Sequence, residues 1–254
     1  RFPTPESIKK YTEFQPNPKN LSHEMVERDY IALTQFPHYQ KNAGWKNPEE
    51  RLGFEQKNNL RFLREYQLKA IHSIQKAVKE GKTRFLFEMA TGTGKTLTSA
   101  AVIKLFLRTG NAKRVLFLVD RLELEEQANK SFIHLLKNDY TSVIYKERRD
   151  DWNRSEIVVT TVQSLLFNDK YRRNFSPTDF DLVISDEAHR SIGGNSRAVF
   201  EYFIGYKLGL TATPKNYLKS VKNSSETHDP RDFETRLMLD TYKTFGCESG
   251  EPTF

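Results

Sequence analysis

The chain has a single cysteine, Cys247, among its 254 residues, so it cannot close an internal disulfide. That excludes the small disulfide-stapled secreted scaffolds and points to a reducing cytoplasm. Cys247 also lacks a basic neighbour in sequence that would lower its pKa, and no thiol chemistry is expected of it. Nothing at the N-terminus has the charged, apolar and small-residue order of a signal peptide. No apolar run approaches the roughly 20 residues that a membrane span needs, so a membrane is not an expected partner. Internal repeats and low-complexity stretches are absent as well. The chain carries 40 Lys and Arg against 33 Asp and Glu, a surplus of +7. Such a balance suits a polyanionic partner without demanding one. The clusters Lys170-Tyr171-Arg172-Arg173 and Lys146-Glu147-Arg148-Arg149 could touch phosphates or could be solvated faces.

The most informative stretch is Phe85-Leu86-Phe87-Glu88-Met89-Ala90-Thr91-Gly92-Thr93-Gly94-Lys95-Thr96. An apolar run enters a turn with two glycines and leaves through Lys-Thr into an apolar-periodic segment, which reads as strand, loop and helix. Gly92 and Gly94 can take backbone angles closed to other residues, so the N–H groups of the loop around Thr93 can turn inward on a phosphate. The helix beginning near Lys95 adds its positive dipole end. Lys95 can reach the β- and γ-phosphates, and the Thr96 hydroxyl can ligate Mg²⁺. Met89 stands where the strict pattern has glycine.

From Leu60 onward apolar runs alternate with helical periodicity. Leu68, Ala70, Ile71, Ile74, Ala77 and Val78 have helical spacing closed by Gly81. A second helix runs through Leu97 to Phe106 and a third through Leu122 to Leu136. Val115 to Val119 is apolar throughout, as a strand buried on both faces would be. Further strands fit residues 141–145, 157–160, 182–185 and 208–211. The order predicts an α/β fold: a three-layer sandwich of a mainly parallel sheet with helices on both faces. Residues 1–60, rich in Pro, Asn and aromatics, read as an irregular or helical linker without a core of its own. A small independent domain is the alternative. Helix is expected over Glu6 to Tyr11 and over Ser22 to Leu33, with Ser22 as N-cap. After Pro214 the alternation stops. Residues 215–254 read as an irregular segment leading toward another domain, with helix over Phe233 to Tyr242.

A second chemical signal is Leu182-Val183-Ile184-Ser185-Asp186-Glu187-Ala188-His189, a buried strand that delivers two acids at its carboxyl end. Asp186 would hold Mg²⁺ through water, and Glu187 would orient and deprotonate the water that attacks a γ-phosphate. The competing reading is an acid pair that caps the next helix. Glu24, Glu27 and Asp29 also lie close together, but without a strand and lysine beside them they read as a solvated helix face rather than a nuclease centre. Trp45 and Trp152 read as packing anchors.

Together these motifs resemble the superfamily 2 helicases and translocases, whose core is a RecA-like domain. Met89 to Thr96 resembles their motif I, Asp186 to His189 their DEAH-type motif II, and Gly209-Leu210-Thr211-Ala212-Thr213-Pro214 their motif III. Leu63-Arg64-Glu65-Tyr66-Gln67 resembles the upstream adenine-reading motif. Val119-Asp120-Arg121 resembles motif Ia, and Val159-Thr160-Thr161-Val162-Gln163-Ser164 the motif after it. In wording the chain is most similar to the motor subunit of Type I restriction enzymes, and Phe2-Pro3-Thr4-Pro5-Glu6 resembles the segment joining that subunit's nuclease to its motor. The resemblance implies ATP and Mg²⁺ as cofactors and Gln67 as the residue that reads the base. It implies double-stranded DNA as track, with methyltransferase and specificity subunits as partners. Within it His189 would link the nucleotide site to motif III, and Thr211 and Thr213 would couple nucleotide state to DNA grip. Thr160, Thr161 and Arg121 would meet the phosphate backbone. Against that, the two threonines could simply end a strand and Arg121 could pair with Glu125.

On this pattern residues 61–214 would be the first RecA-like motor domain. The second, with the arginines that complete the ATP site, has no counterpart after Thr213. Slow turnover and no nuclease activity are therefore expected of the isolated chain. Another superfamily 2 member, such as a Type III restriction motor, a repair helicase or an RNA helicase, is the alternative within the enzyme class. A docking module with a vestigial nucleotide site is the alternative outside it.

Overall fold

Apolar runs in which every residue is buried require cover on both faces, and the computed structural model supplies it. It describes residues 5–146, 150–191, 193–215 and 240–247. The strands are β1 (Arg84–Glu88), β2 (Val115–Val119), β3 (Ser142–Ile144), β4 (Ile157–Thr161), β5 (Leu182–Ser185) and β6 (Tyr206–Thr211). They form one sheet in the order β1-β6-β5-β2-β4-β3, and every neighbouring pair is parallel. The strands expected over 115–119, 141–145, 157–160, 182–185 and 208–211 lie within two residues of the observed ends.

Parallel neighbours need crossovers, and helices provide them. Leading into the sheet are α1 (Pro5–Glu13), α2 (Pro18–His23), α3 (Ala32–Gln35), α4 (Ala43–Lys46), α5 (Arg51–Lys57) and α6 (Glu65–Lys79). Between and after the strands come α7 (Lys95–Arg108), α8 (Leu122–Leu136), α9 (Val162–Leu166), α10 (Lys170–Arg173), α11 (Ala188–Ser191), α12 (Gly194–Tyr202) and α13 (Thr241–Thr244). Alternate side chains of each strand enter opposite cores. Val115, Phe117 and Val119 of β2 join Ala70, Ile103 and Phe132 from α6, α7 and α8. Leu116 and Leu118 face Val162, Val199 and Phe245 on the other side. Among the described residues no helix is long and apolar enough to cross a membrane.

The N-terminal segment departs from expectation. Of the helix predicted over Ser22 to Leu33 only the two ends are helical: α2, N-capped by Asn17, whose side chain accepts from the Asn20 N–H, ends at His23, where Glu24 turns extended, and α3 starts at Ala32. Pro18 in the first turn and Asn17 before it are a stronger start signal than Ser22. Glu24 and Asp29 are accordingly not a solvated helix face. Glu24 pairs with Arg108 at 2.8 Å, and Asp29 accepts from the Tyr39 hydroxyl at 3.0 Å. Leu21, Val26, Tyr30, Ile31 and Leu63 are built into the core under α6 and α7. Ala32, Tyr39 and Leu60 gather Phe36, Trp45, Phe54 and Phe62 into a satellite cluster. Trp45 stacks on Phe62 at 5.6 Å, and Trp152 packs against Phe175 at 4.6 Å.

Beyond Pro214, the loop expected over 223–231 and the Phe2 to Thr4 part of the entry motif lie outside the described residues, as does most of the helix expected over Phe233 to Tyr242. Asp240 caps α13, and Phe245 is buried against Phe200 at 5.5 Å. A Cβ on Gly209 would stand 2.5 Å from the Phe245 ring, so glycine is what lets this end of the chain lie on β6.

Lys104 ties the N-terminal segment to α7. It is 2 % exposed, donates to the Tyr30 carbonyl at 2.6 Å and lies 4.2 Å from the Tyr30 ring centre. Burial lowers its pKa to about 8. Below that pH the folded state carries a proton that burial penalises. From about pH 8 to 10 the unfolded chain still holds the proton that the folded one has released, so stability rises with pH across that window. Lys104→Met should remove that rise and stabilise the protein at pH 7 by about 1–3 kcal/mol. Thermal unfolding of both proteins at pH 7 and pH 9.5 tests this.

Candidate active site

The phosphate loop begins where β1 stops pairing. The Met89 N–H donates to the Thr211 carbonyl at 2.8 Å, extending the β1–β6 ladder by one residue, and the Met89 side chain is buried in the core. Met89 is not among the residues with positive φ. Its position therefore makes no demand for glycine, which explains the departure from the usual pattern. Gly92 and Gly94 do have left-handed backbones, at φ 81° and 85°, where a side chain would be strained. Gly94 is also the N-cap of α7, so the first-turn N–H groups of a 14-residue helix remain available to an anion.

Gln67 braces this loop from behind. It is 1 % exposed. Its amide donates to the carbonyls of Thr93 at 3.1 Å and Gly94 at 3.3 Å, while its carbonyl accepts from the Arg64 N–H at 2.9 Å. A Cβ on Gly94 would meet the Gln67 amide nitrogen at 2.6 Å. The Tyr66 hydroxyl adds a bond to the Thr93 carbonyl at 2.5 Å. A cleft of about 500 Å³ opens beside the loop, with Asn59, Arg61, Gln67, Gly94, Thr96 and His134 in its walls. Three of these were not singled out in sequence. Asn59 and Arg61 belong to the stretch that leads into α6, and His134 reaches the site from the far end of α8, with no local signal to mark it.

At the other side of the loop Lys95 meets the paired acids. Its ammonium lies 2.5 Å from Glu187 Oε1 and 3.8 Å from Asp186 Oδ1. Burial raises the Asp186 pKa, Lys95 opposes that rise and Glu187 adds to it. Glu187 itself has φ 50°, a left-handed conformation that typically costs ~1–3 kcal/mol and clusters at functional sites. His189 Nδ1 is 2.8 Å from Thr211 Oγ1 and 3.5 Å from Glu187 Oε2. Burial keeps the His189 pKa below its ordinary value, so the ring is neutral at pH 7. Thr211 Oγ1 in turn accepts from the Thr213 N–H at 3.1 Å. Glu187, His189, Thr211 and Thr213 thus form one connected line from β5 to the loop after β6. Thr96 and Asp186 offer oxygen donors, and Lys95 shows that the acids converge on positive charge. This donor chemistry suits Mg²⁺.

On the next two strands, β2 and β4, the remaining candidates separate. Arg121 is exposed and lies 3.6 Å from Asp120, not paired with Glu125. Glu125 instead accepts from the Thr161 N–H at 2.7 Å; burial raises its pKa and this bond opposes the rise. Thr160 and Thr161 are fully buried. The Thr161 hydroxyl caps α9, accepting from the Ser164 N–H at 3.0 Å. Neither hydroxyl is presented at the surface, whereas Gln163 beside them is exposed.

A phosphate loop, paired acids and a threonine-bearing strand end on one parallel sheet define a helicase-like ATP-binding domain. Residues 61–216 match the family described as Type III restriction enzyme, res subunit, and the chain belongs to that family. It is 35% identical over 159 residues to the Type I restriction enzyme EcoAI endonuclease subunit of Escherichia coli, which covers 60% of this chain and 19% of that one. To the EcoKI endonuclease subunit of Escherichia coli K12 it is 33% identical over 209 residues, 67% of this chain and 18% of that one. The chain spans about a fifth of the length of these relatives. The Sulfolobus solfataricus SWI2/SNF2 ATPase core in complex with dsDNA shares its fold, with a TM-score of 0.52 at 18% identity over 70% of this chain and 35% of that one. The Pyrococcus furiosus Hef helicase domain does so with a TM-score of 0.50 at 22% identity, over 70% and 36%.

Gly94→Ala places a methyl against Gln67 on a left-handed backbone. It should weaken Mg²⁺-nucleotide binding by at least about tenfold, the equivalent of about 1.4 kcal/mol, while thermal unfolding stays cooperative. Titration with a fluorescent ATP analogue measures the loss.

Proposed function

We propose that this chain is the ATP-binding half of a motor that translocates along double-stranded DNA within a Type I-like restriction system. The observation that carries the reading is the order of strand ends. The nucleotide cluster lies on β1, β6 and β5, and the edge that bears Arg121 and Gln163 lies on β2 and the end of β4, directly adjacent. The similarity to Type I endonuclease subunits supports the restriction context, and a fold neighbour was solved with dsDNA.

On this reading the first-turn N–H groups of α7 and Lys95 hold the β- and γ-phosphates. Thr96 and Asp186 would hold Mg²⁺, whose charge offsets that of the phosphates. Lys95 is the ion-pair partner of Glu187, so phosphates that draw the ammonium away release Glu187 to accept the proton of the attacking water. Gln67 stands at the cleft wall for the base, at the cost of a bond to the loop. Neutral His189 passes the position of Glu187 to Thr211, and Thr211 passes it to Thr213. Arg121 grips the DNA backbone, while Thr160 and Thr161 act by fixing the end of β4. Phosphate contacts of this kind carry no sequence information, so recognition belongs to specificity and methyltransferase subunits. Residues 1–60 serve as the joint to a preceding domain, 61–214 as the first motor domain and 215–254 as the lead toward the second. Arginines from that second domain complete the site; such a residue contributes on the order of 10³–10⁵ in rate.

Lys95→Ala should abolish Mg²⁺-nucleotide binding, whereas Glu187→Gln should bind nucleotide within about threefold of wild type and hydrolyse none. In a longer chain carrying both motor domains, duplex DNA should stimulate the wild-type ATPase. The present chain alone should turn over at least about 10³-fold more slowly. Hydrolysis indifferent to Glu187→Gln would contradict the assignment.

A further inference from the structure

The strand order places one more charged cluster between the two functional edges. β2 lies between β5 and β4, with Leu118 opposite Ser185 and Val119 opposite Thr161, and the Asp186 N–H donates to the Leu118 carbonyl at 2.9 Å. Asp120, the next residue after β2, therefore stands beside the paired acids on one side and the β4 end on the other. One of its oxygens, Oδ2, serves two guanidinium groups: Arg190 Nη1 at 2.7 Å and Arg121 Nε at 3.6 Å. Arg190 belongs to α11, and its N–H donates to the carbonyl of Glu187 at 2.8 Å.

We propose that Asp120 is the positioning residue that couples nucleotide state to DNA grip, by sharing one carboxylate oxygen between Arg190 on the nucleotide side and Arg121 on the DNA side. The inference rests on the motor reading above and names a residue which that reading does not use. Two observations bear it. The Asp120 side chain is 16 % exposed while those of Arg190 and Arg121 are 51 % and 67 % exposed, so the anion is held in place and the two cations can move. Ion pairs this exposed are weak, which makes exchange of partners easy. The contacts are also unequal: Arg190 hydrogen-bonds Oδ2 at 2.7 Å, whereas Arg121 stands at 3.6 Å, an ion pair beyond hydrogen-bond distance, and is the contact a DNA phosphate can replace. When a phosphate takes Arg121, Asp120 is left to Arg190 alone, and α11 is drawn toward β2 through the Glu187 carbonyl. In the opposite direction, nucleotide that removes Lys95 from Glu187 shifts the same turn and with it the hold of Arg190 on Asp120. The two effects are equal by linkage.

The test is the dissociation constant of a 30-base-pair duplex, read by fluorescence anisotropy at fixed salt, with and without a saturating non-hydrolysable ATP analogue and Mg²⁺. Wild type should change at least about fivefold between the two conditions. Asp120→Asn and Arg190→Gln should bring the change within about twofold of none, with nucleotide affinity within about threefold of wild type. Asp120→Glu, which keeps the charge, should restore most of it. An Asp120→Asn protein that keeps the wild-type ratio overturns this inference alone, as does one that loses nucleotide binding together with the ratio, because Asp120 would then be a structural support. A wild-type chain that binds nucleotide but no duplex overturns the motor reading and this inference with it.

Discussion

Parallel pairing is the constraint on which the rest depends. Strands that run the same way end at the same edge, so the residues that follow β1, β6, β5, β2 and β4 are delivered to one rim. Each crossover must then pass over a face of the sheet, which buries both faces and accounts for the unbroken apolar runs in β2, β4 and β5. The chemistry at the rim follows from the order of neighbours. β5, with its two acids, lies between the strand that carries Thr211 and the strand that carries Asp120. Motifs far apart in the chain become a row: phosphate loop, threonine strand, acids, Asp120, Thr161.

Within that row the most tightly held element is the phosphate loop. Gln67 and Tyr66 bond its carbonyls from one side, Thr211 bonds Met89 at its start, and two left-handed glycines make the turn. The acids are held differently. Glu187 keeps a strained backbone and depends on Lys95 for charge balance. The loop is thus braced by neutral hydrogen bonds, whereas the acid pair is balanced by one cation.

The N-terminal segment changes what the domain is. It contributes Leu21, Tyr30 and Ile31 to the core beneath α6 and α7 and, through Asn59 and Arg61, part of the cleft wall. Lys104 and Arg108, on the helix that starts at the phosphate loop, are its anchors. A displacement of this segment would therefore be felt along α7, the helix whose first turn follows the glycine loop.

The sequence by itself determined the strands, the order of motifs and the residues of the phosphate loop and acid pair. Each of these is written locally: buried strands in continuous apolar runs, positive φ in Gly92 and Gly94, and the acids in a strand terminus. The second N-terminal helix begins at Pro18 behind an Asn17 cap, upstream of the Ser22 start expected from sequence. The sequence left no trace of His134 in the cleft, of Arg190 on Asp120, or of Glu125 on the Thr161 N–H. Those contacts join residues 36 to 75 positions apart; the sheet order, which sets β2 between β5 and β4, brings the Asp120 and Glu125 contacts within bonding distance, and the packing of the N-terminal segment on α8 does so for His134. Tertiary structure likewise decided exposure. Thr160 and Thr161 look like surface hydroxyls in a motif, yet α8 and α9 pack over this end of β4 and bury them.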